Sequence, residues 1–504
     1  MNTEAHTELE QGGERFRPQW HFSPEKHWIN DPNGLVWFEG EYHLFFQYNP
    51  FGDQWGHMSW GHAVSTDLLH WQELPVAIPE DERVSIFSGS VVVDQHNSSG
   101  FGDDTDAVLV AVYTGCKRVP EGGQAQELAY SLDRGRSWTK YAANPVLDIG
   151  LRDFRDPKVF WHGPTARWVM AVVRPDDHVV SFYGSHNLRE WQHLSDFGPA
   201  GEVGGIWECP DLIEFPSSTN ADDGVAAHSR WVLKVDTFAG HPGGTGAQVF
   251  VGRFDGTRFI QDSVADEAAR TTGMWVDHGS DFYAAIAWGN LPAQHTAPVW
   301  IGWMNNHGYA KRTPTSPWRG AMSVPRELFL RETPAGTRLG QRPLPALQGL
   351  RGAPLQWPQR TLSAGETLID TGGLDGRSIE IEWSITTATA SEFGLQVRSG
   401  PGEATLIGVC RRRGMLFIDR QHSGFVPHAE RWAGRREVAL EDPQGPITLR
   451  VLVDRCSVEV FTGDGAAVLT ELVFPADTSR ALRLYALGGE VQGTLTVWPL
   501  AATR

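Results

Sequence analysis

A short segment that closes on an aromatic recurs along the first half of this chain. Ser65-Thr66-Asp67-Leu68-Leu69-His70-Trp71 returns as Ser131-Leu132-Asp133-Arg134-Gly135-Arg136-Ser137-Trp138 and as Ser185-His186-Asn187-Leu188-Arg189-Glu190-Trp191. A looser echo is Phe254-Asp255-Gly256-Thr257-Arg258-Phe259, and the closing aromatics are 67, 53 and 68 residues apart. A period of this kind means one supersecondary unit copied several times. The unit has room for about four short strands, one blade of a β-propeller, with the Asp or Asn turn ahead of its last strand. About 320 residues so organised make five blades.

The intervening sequence agrees. Leu35-Val36-Trp37-Phe38 and Tyr42-His43-Leu44-Phe45-Phe46, separated by Glu39-Gly40-Glu41, read as a hairpin. No amphipathic helix is evident before position 335. With 55 Gly, 31 Pro, 21 Trp and 24 Phe, the chain is turn-rich and aromatic, as β-structure of short strands requires. The expected fold is all-β: a five-bladed β-propeller over 16–332, a Pro- and Gly-rich linker over 333–360, and a β-sandwich over 361–504. The sandwich follows from strict alternation in Ser378-Ile379-Glu380-Ile381-Glu382-Trp383 and in Ile447-Thr448-Leu449-Arg450-Val451-Leu452-Val453. Residues 1–15 read as a disordered tail.

A net charge of −18 argues against nucleic acid or an anionic membrane surface as partner. No apolar run approaches the ~18 residues that suggest a membrane span. The polar, acidic N-terminal residues place the chain in the cytoplasm, or outside the cell if a leader was removed. Cys116, Cys209, Cys410 and Cys456 form no C-x-x-C pair and are expected to be free thiols. No H-E-x-x-H pattern occurs among the 19 His, so neither a metal nor another cofactor is expected.

Three segments of the first domain carry an acid in unusual company: Trp28-Ile29-Asn30-Asp31-Pro32-Asn33-Gly34, Phe154-Arg155-Asp156-Pro157 and Trp207-Glu208-Cys209-Pro210. Their acids are 125 and 52 residues apart, two blades and one blade of the repeat. Innermost strands of successive blades face a common axis, so a shared phase puts the three carboxylates at one end of the central channel. Phe87-Ser88-Gly89-Ser90 and Asp281-Phe282-Tyr283 fall at the two missing phases. Taken singly, each acid also fits a plain role: Asp31 as a turn former, Asp156 as a cap or a partner of Arg155, Glu208 as a surface acid.

Crowded together among aromatics, the acids point to glycoside cleavage, in which one carboxylate attacks or activates water and another protonates the leaving oxygen. Glu208 follows Ile206 and Trp207, an apolar approach expected to favour its neutral form. Two other readings stand beside this one. A lectin-like sugar-binding propeller needs no crowded acids, and a five-bladed inverting pentosidase has three axial acids in other contexts.

The W-I-N-D-P-N-G, F-R-D-P and E-C-P segments resemble the signature of glycoside hydrolase family 32, the β-fructofuranosidases. The likeness extends to Asn49-Pro50-Phe51-Gly52-Asp53-Gln54-Trp55-Gly56-His57, Ile301-Gly302-Trp303-Met304-Asn305-Asn306 and Val453-Asp454-Arg455-Cys456-Ser457-Val458-Glu459-Val460-Phe461, and so to nearly the whole chain. It implies release of terminal fructose from sucrose, inulin or levan with retention of configuration. Asp31 would be the nucleophile, Glu208 the general acid/base and Asp156 the transition-state stabiliser. Asn30, Gln47, Trp55, Phe87, Ser88, Arg155 and Trp303 would line the fructosyl pocket. The partner would be a small or polymeric fructoside, with the oligomeric state left open. Two departures stand out: His307 where an aromatic often follows the W-M-N-N run, and Ile286 where a polar residue is common. Both are expected to alter the leaving-group side.

Overall fold

Five sheets of four or five strands follow one another up to Pro343 in the computed structural model, which describes residues 14–504 apart from 104–106, 120–121, 217–228, 263–273 and 433. Their first strands are His27–Phe38, Val84–Asp94, Arg155–His162, Trp207–Phe215 and Tyr283–Ala287. Each packs beside the next, and the fifth packs beside the first, so the ring closes around an axis. Apolar clusters fill the gaps between neighbouring blades. Phe45 and Trp60 meet Ile86 and Tyr113 between blades 1 and 2, and Leu44 and Phe46 meet Trp288 and Ile301 between blades 5 and 1. Closure gives every blade two apolar faces to bury and leaves only short outer edges.

The repeated segment is the turn before the outermost strand of a blade. Asp67 Oδ1 accepts from the backbone N–H of Leu69 (2.9 Å) and His70 (2.8 Å), and Asn187 Oδ1 does the same for Arg189 (3.0 Å) and Glu190 (2.9 Å). Leu68, Arg134, Leu188 and Gly256 occupy its left-handed position, with φ of 68°, 61°, 62° and 88°. The closing indoles of Trp71, Trp138 and Trp191 donate back to Leu68 O, Gly135 O and Leu188 O. An Asx side chain substitutes for backbone partners that the tight turn cannot supply. Blade 5 turns instead through a short hairpin between Arg326–Thr333 and Gly336–Pro343, which is why it lacks the motif.

The expected linker over 333–360 is corrected. Gly336–Pro343 is the outer strand of the fifth sheet, Pro345–Leu350 is a 3-10 helix with Leu347 and Leu350 buried, and Leu355–Leu362 is an edge strand of the sandwich. The Gly and Arg residues that read as loop lie on a strand whose Gly340 is covered by the Phe329 ring. Of the stretch 1–15, residues 1–13 lie outside the described residues, and Glu14–Phe16 is a 3-10 turn that buries Phe16. The second domain is two six-stranded sheets around one core, with Ile379, Ile381, Trp383 and Ile385 pointing inward. All four cysteines are free.

Buried ion pairs join the domains. Arg326 of blade 5 donates to Asp277 (3.0 Å) and to Glu459 of the sandwich (2.7 Å). Arg420 of the sandwich donates to Asp281 (2.6 Å) and to the Tyr309 hydroxyl (2.8 Å). His21 bridges Asp454 (2.9 Å) and Glu459 (2.8 Å). Burial alone would lower the His21 pKa, but its hydrogen bonds to the two carboxylates raise it to about 9. A histidine whose folded pKa lies above its unfolded value contributes stability that is complete below about pH 6.5 and is lost as the pH rises through the folded value. The difference in Tm between the wild type and His21→Gln is therefore expected to be widest near pH 6 and to narrow toward pH 9. Differential scanning calorimetry across that range tests it, and a difference that does not change with pH would refute the charged bridge.

Candidate active site

Each inner strand loses register at the same level. The ladders slip between Ile29 and Pro32, Ile86 and Gly89, Arg155 and Lys158, Glu208 and Asp211, and Tyr283 and Ile286. A bulge bends the strand and re-aims a side chain. Pro32, Pro157 and Pro210 sit within three of these breaks, where the missing N–H costs no ladder bond. Asp156, Cys209 and Ala284 take left-handed backbone with φ of 64°, 46° and 54°. Such conformations persist in non-glycine residues only where the surroundings over-determine them. At Gly89 the neighbouring strand comes so close that a Cβ would lie 2.2 Å from Val112 O.

The bulges turn polar side chains into one mouth of the channel. A cavity of about 330 Å³ there is lined by Asn30, Asp31, Gln47, Trp55, Phe87, Ser88, Arg155, Asp156 and Glu208, all expected from the sequence. Trp303 is the exception. It is fully buried behind the wall, its ring 6.0 Å from Trp28 and 5.0 Å from His307, with the chain closing over it at Gly320. Ile286 does not line this cavity either: it packs into the cluster between blades 5 and 1 and borders a small space behind Ser88 and Asp156. The opposite mouth opens into a larger cavity of about 410 Å³. Its Lys158 pairs with Asp211 (3.3 Å) and donates to Ala287 O (2.6 Å), bracing three blades together.

The acids differ in their partners. Trp28 Nε1 donates to Asn30 Oδ1 (2.7 Å), which leaves the Asn30 amide to donate to Asp31 Oδ1 (3.0 Å). Ser88 Oγ donates to Asp31 Oδ2 (2.7 Å), so both carboxylate oxygens are oriented. Asp156 Oδ2 accepts from the backbone N–H of Cys209 (2.9 Å), and the Cys209 thiol lies 3.6 Å from both Asp31 and Asp156. Arg155 donates to Glu208 Oε1 through Nη2 (3.0 Å) and Nε (3.3 Å), and the Tyr283 hydroxyl donates to Glu208 Oε2 (2.6 Å).

The protons distribute accordingly. Burial pushes the Glu208 pKa up, but Arg155 and the Tyr283 hydroxyl outweigh it and hold the carboxyl below its usual range. The expectation that an apolar approach keeps Glu208 neutral is corrected: Trp207 points into the core between blades 3 and 4, and Glu208 points to Arg155. Asp156 goes the other way. Burial, with Glu208 and Asp31 beside it, outweighs Arg155 and raises its pKa to about 7.

Several site residues escaped the sequence reading. Gln124 and Asp153 hold Arg155, and Phe238 and Lys311 complete the cavity wall beside His307, which the sequence had already singled out. Behind Cys209, buried Lys234 donates to Cys209 O (2.8 Å) and to Asp236 (2.5 Å). Burial outweighs Lys234 and raises the Asp236 pKa to about 8. The signal was present: Lys234 and Asp236 fall on one face of the apolar run Trp231-Val232-Leu233-Lys234-Val235-Asp236.

The chain is similar to known proteins over almost its whole length. The models for the glycosyl hydrolases family 32 N-terminal domain and C-terminal domain match residues 21–343 and 346–499. A levanase of Bacillus subtilis (strain 168) is 45% identical over 495 residues, covering 97% of this chain and 71% of that protein. An extracellular exo-inulinase of Aspergillus awamori is 39% identical, and its crystal structure superposes with a TM-score of 0.89 over 97% of this chain and 99% of that one. A fructofuranosidase of Schwanniomyces occidentalis, complexed with fructose, matches with a TM-score of 0.86 at 30% identity over 97% of this chain and 99% of that one. With both family models matched end to end, the chain belongs to glycoside hydrolase family 32.

Proposed function

We propose that this chain is a retaining β-fructofuranosidase that removes terminal non-reducing fructosyl units from sucrose or from fructans such as inulin and levan. The observation that carries the reading is the convergence of Asp31, Asp156 and Glu208 on one cavity. Asp31, oriented through both oxygens, attacks C2 and forms a fructosyl ester as the glycosidic C–O bond breaks. Glu208 gives its proton to the leaving oxygen and then takes one from the water that hydrolyses the ester. If an alcohol takes the place of that water, a transferred fructoside results. Asp156 accepts from the sugar hydroxyls and steadies the positive charge that develops at C2.

The first step needs the proton on Glu208, whereas the free site favours it on Asp156. Substrate supplies the shift. Hydroxyls that donate to Asp156 stabilise its charged form, and the proton they displace is taken up by Glu208. The extracellular relatives support a secreted protein, the second of the two placements the N-terminal residues left open.

Three measurements test this reading. Glu208→Ala is expected to lower kcat on sucrose by about 10²–10⁴-fold, the scale of general acid–base catalysis, and Asp31→Ala at least as much. Near-normal rates in either would remove that residue, and intact sugar binding without any wild-type turnover would favour the lectin reading. NMR of the first-formed fructose is expected to show the β-anomer, and the α-anomer would favour inversion. Finally, kcat/KM is expected to fall on the alkaline side with an apparent pKa of about 7 that belongs to the three acids jointly. Asp156→Asn removes one of three like charges, so it should lower kcat, raise KM and move that limb to lower pH. A limb that stays in place would take Asp156 out of the shared proton.

A further inference from the structure

One wall of the cavity has no part in the steps above. His307 follows the blade 5 strand Val299–Trp303, Phe238 lies near the end of the blade 4 strand Arg230–His241, and both line the cavity beside Glu208. Their rings stack with centroids 4.6 Å apart at 29°. The ring of Tyr283, whose hydroxyl donates to Glu208, stands edge-on to His307 at 5.0 Å, and Trp303 closes the third side at 5.0 Å. His307 is therefore clamped by three aromatic rings. Among the described residues, neither of its ring nitrogens has a hydrogen-bond partner.

The depth of the cavity gives this wall its direction. Arg155 and Asp156 are each 7% exposed, whereas Phe238 is 42% exposed. The rim also holds Trp55, 45% exposed, but Phe238 is the one on the His307 and Tyr283 side with Glu208. A terminal sugar held by the deep residues with its leaving oxygen at Glu208 therefore sends the rest of the substrate out past Phe238. Glu208 has to face the oxygen that leaves, and His307 is joined to Glu208 through Tyr283. We propose that His307, held flat by Phe238, is a specificity-determining residue for the leaving group, hydrogen-bonding a hydroxyl of the departing sugar while Phe238 covers an apolar face of it. The inference rests on the fructoside-hydrolase reading.

The chemistry suits that ligand. Burial and the nearby Lys311 ammonium lower the His307 pKa, outweighing the pull of Glu208 and Asp31. A neutral imidazole offers one N–H donor and one acceptor, and a sugar hydroxyl both donates and accepts. An aryl alcohol with no hydroxyls beyond the glycosidic oxygen would gain from the rings but not from the nitrogens.

The test is steady-state kinetics of the full chain and of His307→Phe and His307→Gln on sucrose, inulin and 4-nitrophenyl β-D-fructofuranoside, with folding checked by circular dichroism. His307→Phe keeps the stack and deletes the nitrogens. It is expected to lower kcat/KM on sucrose and inulin about tenfold, the size of one lost hydrogen bond, mainly through KM. The aryl fructoside makes no such bond and should lose less, so the ratio of kcat/KM on sucrose to that on the aryl fructoside should fall by about fivefold or more. His307→Gln restores a donor and acceptor and should recover part of the loss on sucrose. Equal loss on all three substrates, or no loss on any, overturns the proposal. If His307→Phe does not fold, the proposal stands or falls on whether His307→Gln spares sucrose relative to the aryl fructoside. A wild-type chain that turns over none of the three fails the fructoside reading and this inference with it.

Discussion

Five strands converge on one axis, and none can keep an unbroken ladder and also turn a polar side chain into the mouth of the channel. The conflict is resolved by a bulge at the same level in every inner strand. The ladder above and below each break holds the blade, and the break itself aims the side chain. The left-handed backbone of Asp156 and Cys209 is the local strain this requires. It is sustained by bonds from outside the strand: Thr114 Oγ1 accepts from the Asp156 N–H (3.0 Å), and Lys234 donates to Cys209 O (2.8 Å). The buried Lys234–Asp236 pair is thus a brace for the bulge that presents Glu208.

This geometry explains what could be read from the chain. The turn repeat was legible because an Asx side chain, a left-handed residue and a closing indole are each forced by one tight turn. The acids were legible as a set because they share a phase relative to that turn. Pro32, Pro157 and Pro210 carried more information than a turn-former reading allows, since a proline inside a strand-like run marks a break in the ladder. The segment 333–360 was misread because its composition resembles a loop, while the covering of Gly340 by Phe329 depends on a partner strand. Trp303 was misplaced for a similar reason: a tryptophan two side chains deep is adjacent in sequence to the site but separated from it by Trp28 and His307.

The sandwich contributes more than bulk. Arg420, buried and lying 3.7 Å over the Trp432 ring, reaches across the domain boundary to Asp281 and to the Tyr309 hydroxyl. Tyr309 is two residues from His307 and two from Lys311, both in the cavity wall. Asn306, also on this loop, donates to Gly243 O (3.0 Å) and Ser280 O (2.7 Å). Buried ion pairs are weak evidence for net stability, because desolvation opposes the attraction. What Arg420 supplies is position: the loop that carries His307 and Lys311 is held in register with blades 4 and 5. Asp281, which seemed from its phase to belong to the site, is committed to this anchor instead.

The electrostatics of the mouth follow from four carboxylates, Asp31, Asp153, Asp156 and Glu208, set against the Arg155 guanidinium and the Lys311 ammonium. Arg155 donates twice to Glu208 Oε1, pairs with Asp153 and stands 3.9 Å from Asp156. It does not fully compensate them all, and burial, with the repulsion of Glu208 and Asp31, raises the pKa of Asp156, whose carboxyl oxygens have the Cys209 N–H and thiol as their hydrogen-bonding partners among the described residues. On the proposed mechanism, the pairing of Arg155 with Glu208 makes the acid form conditional on the sugar: hydroxyls that donate to Asp156 release its proton toward Glu208, so binding of the terminal sugar and protonation of the acid are coupled.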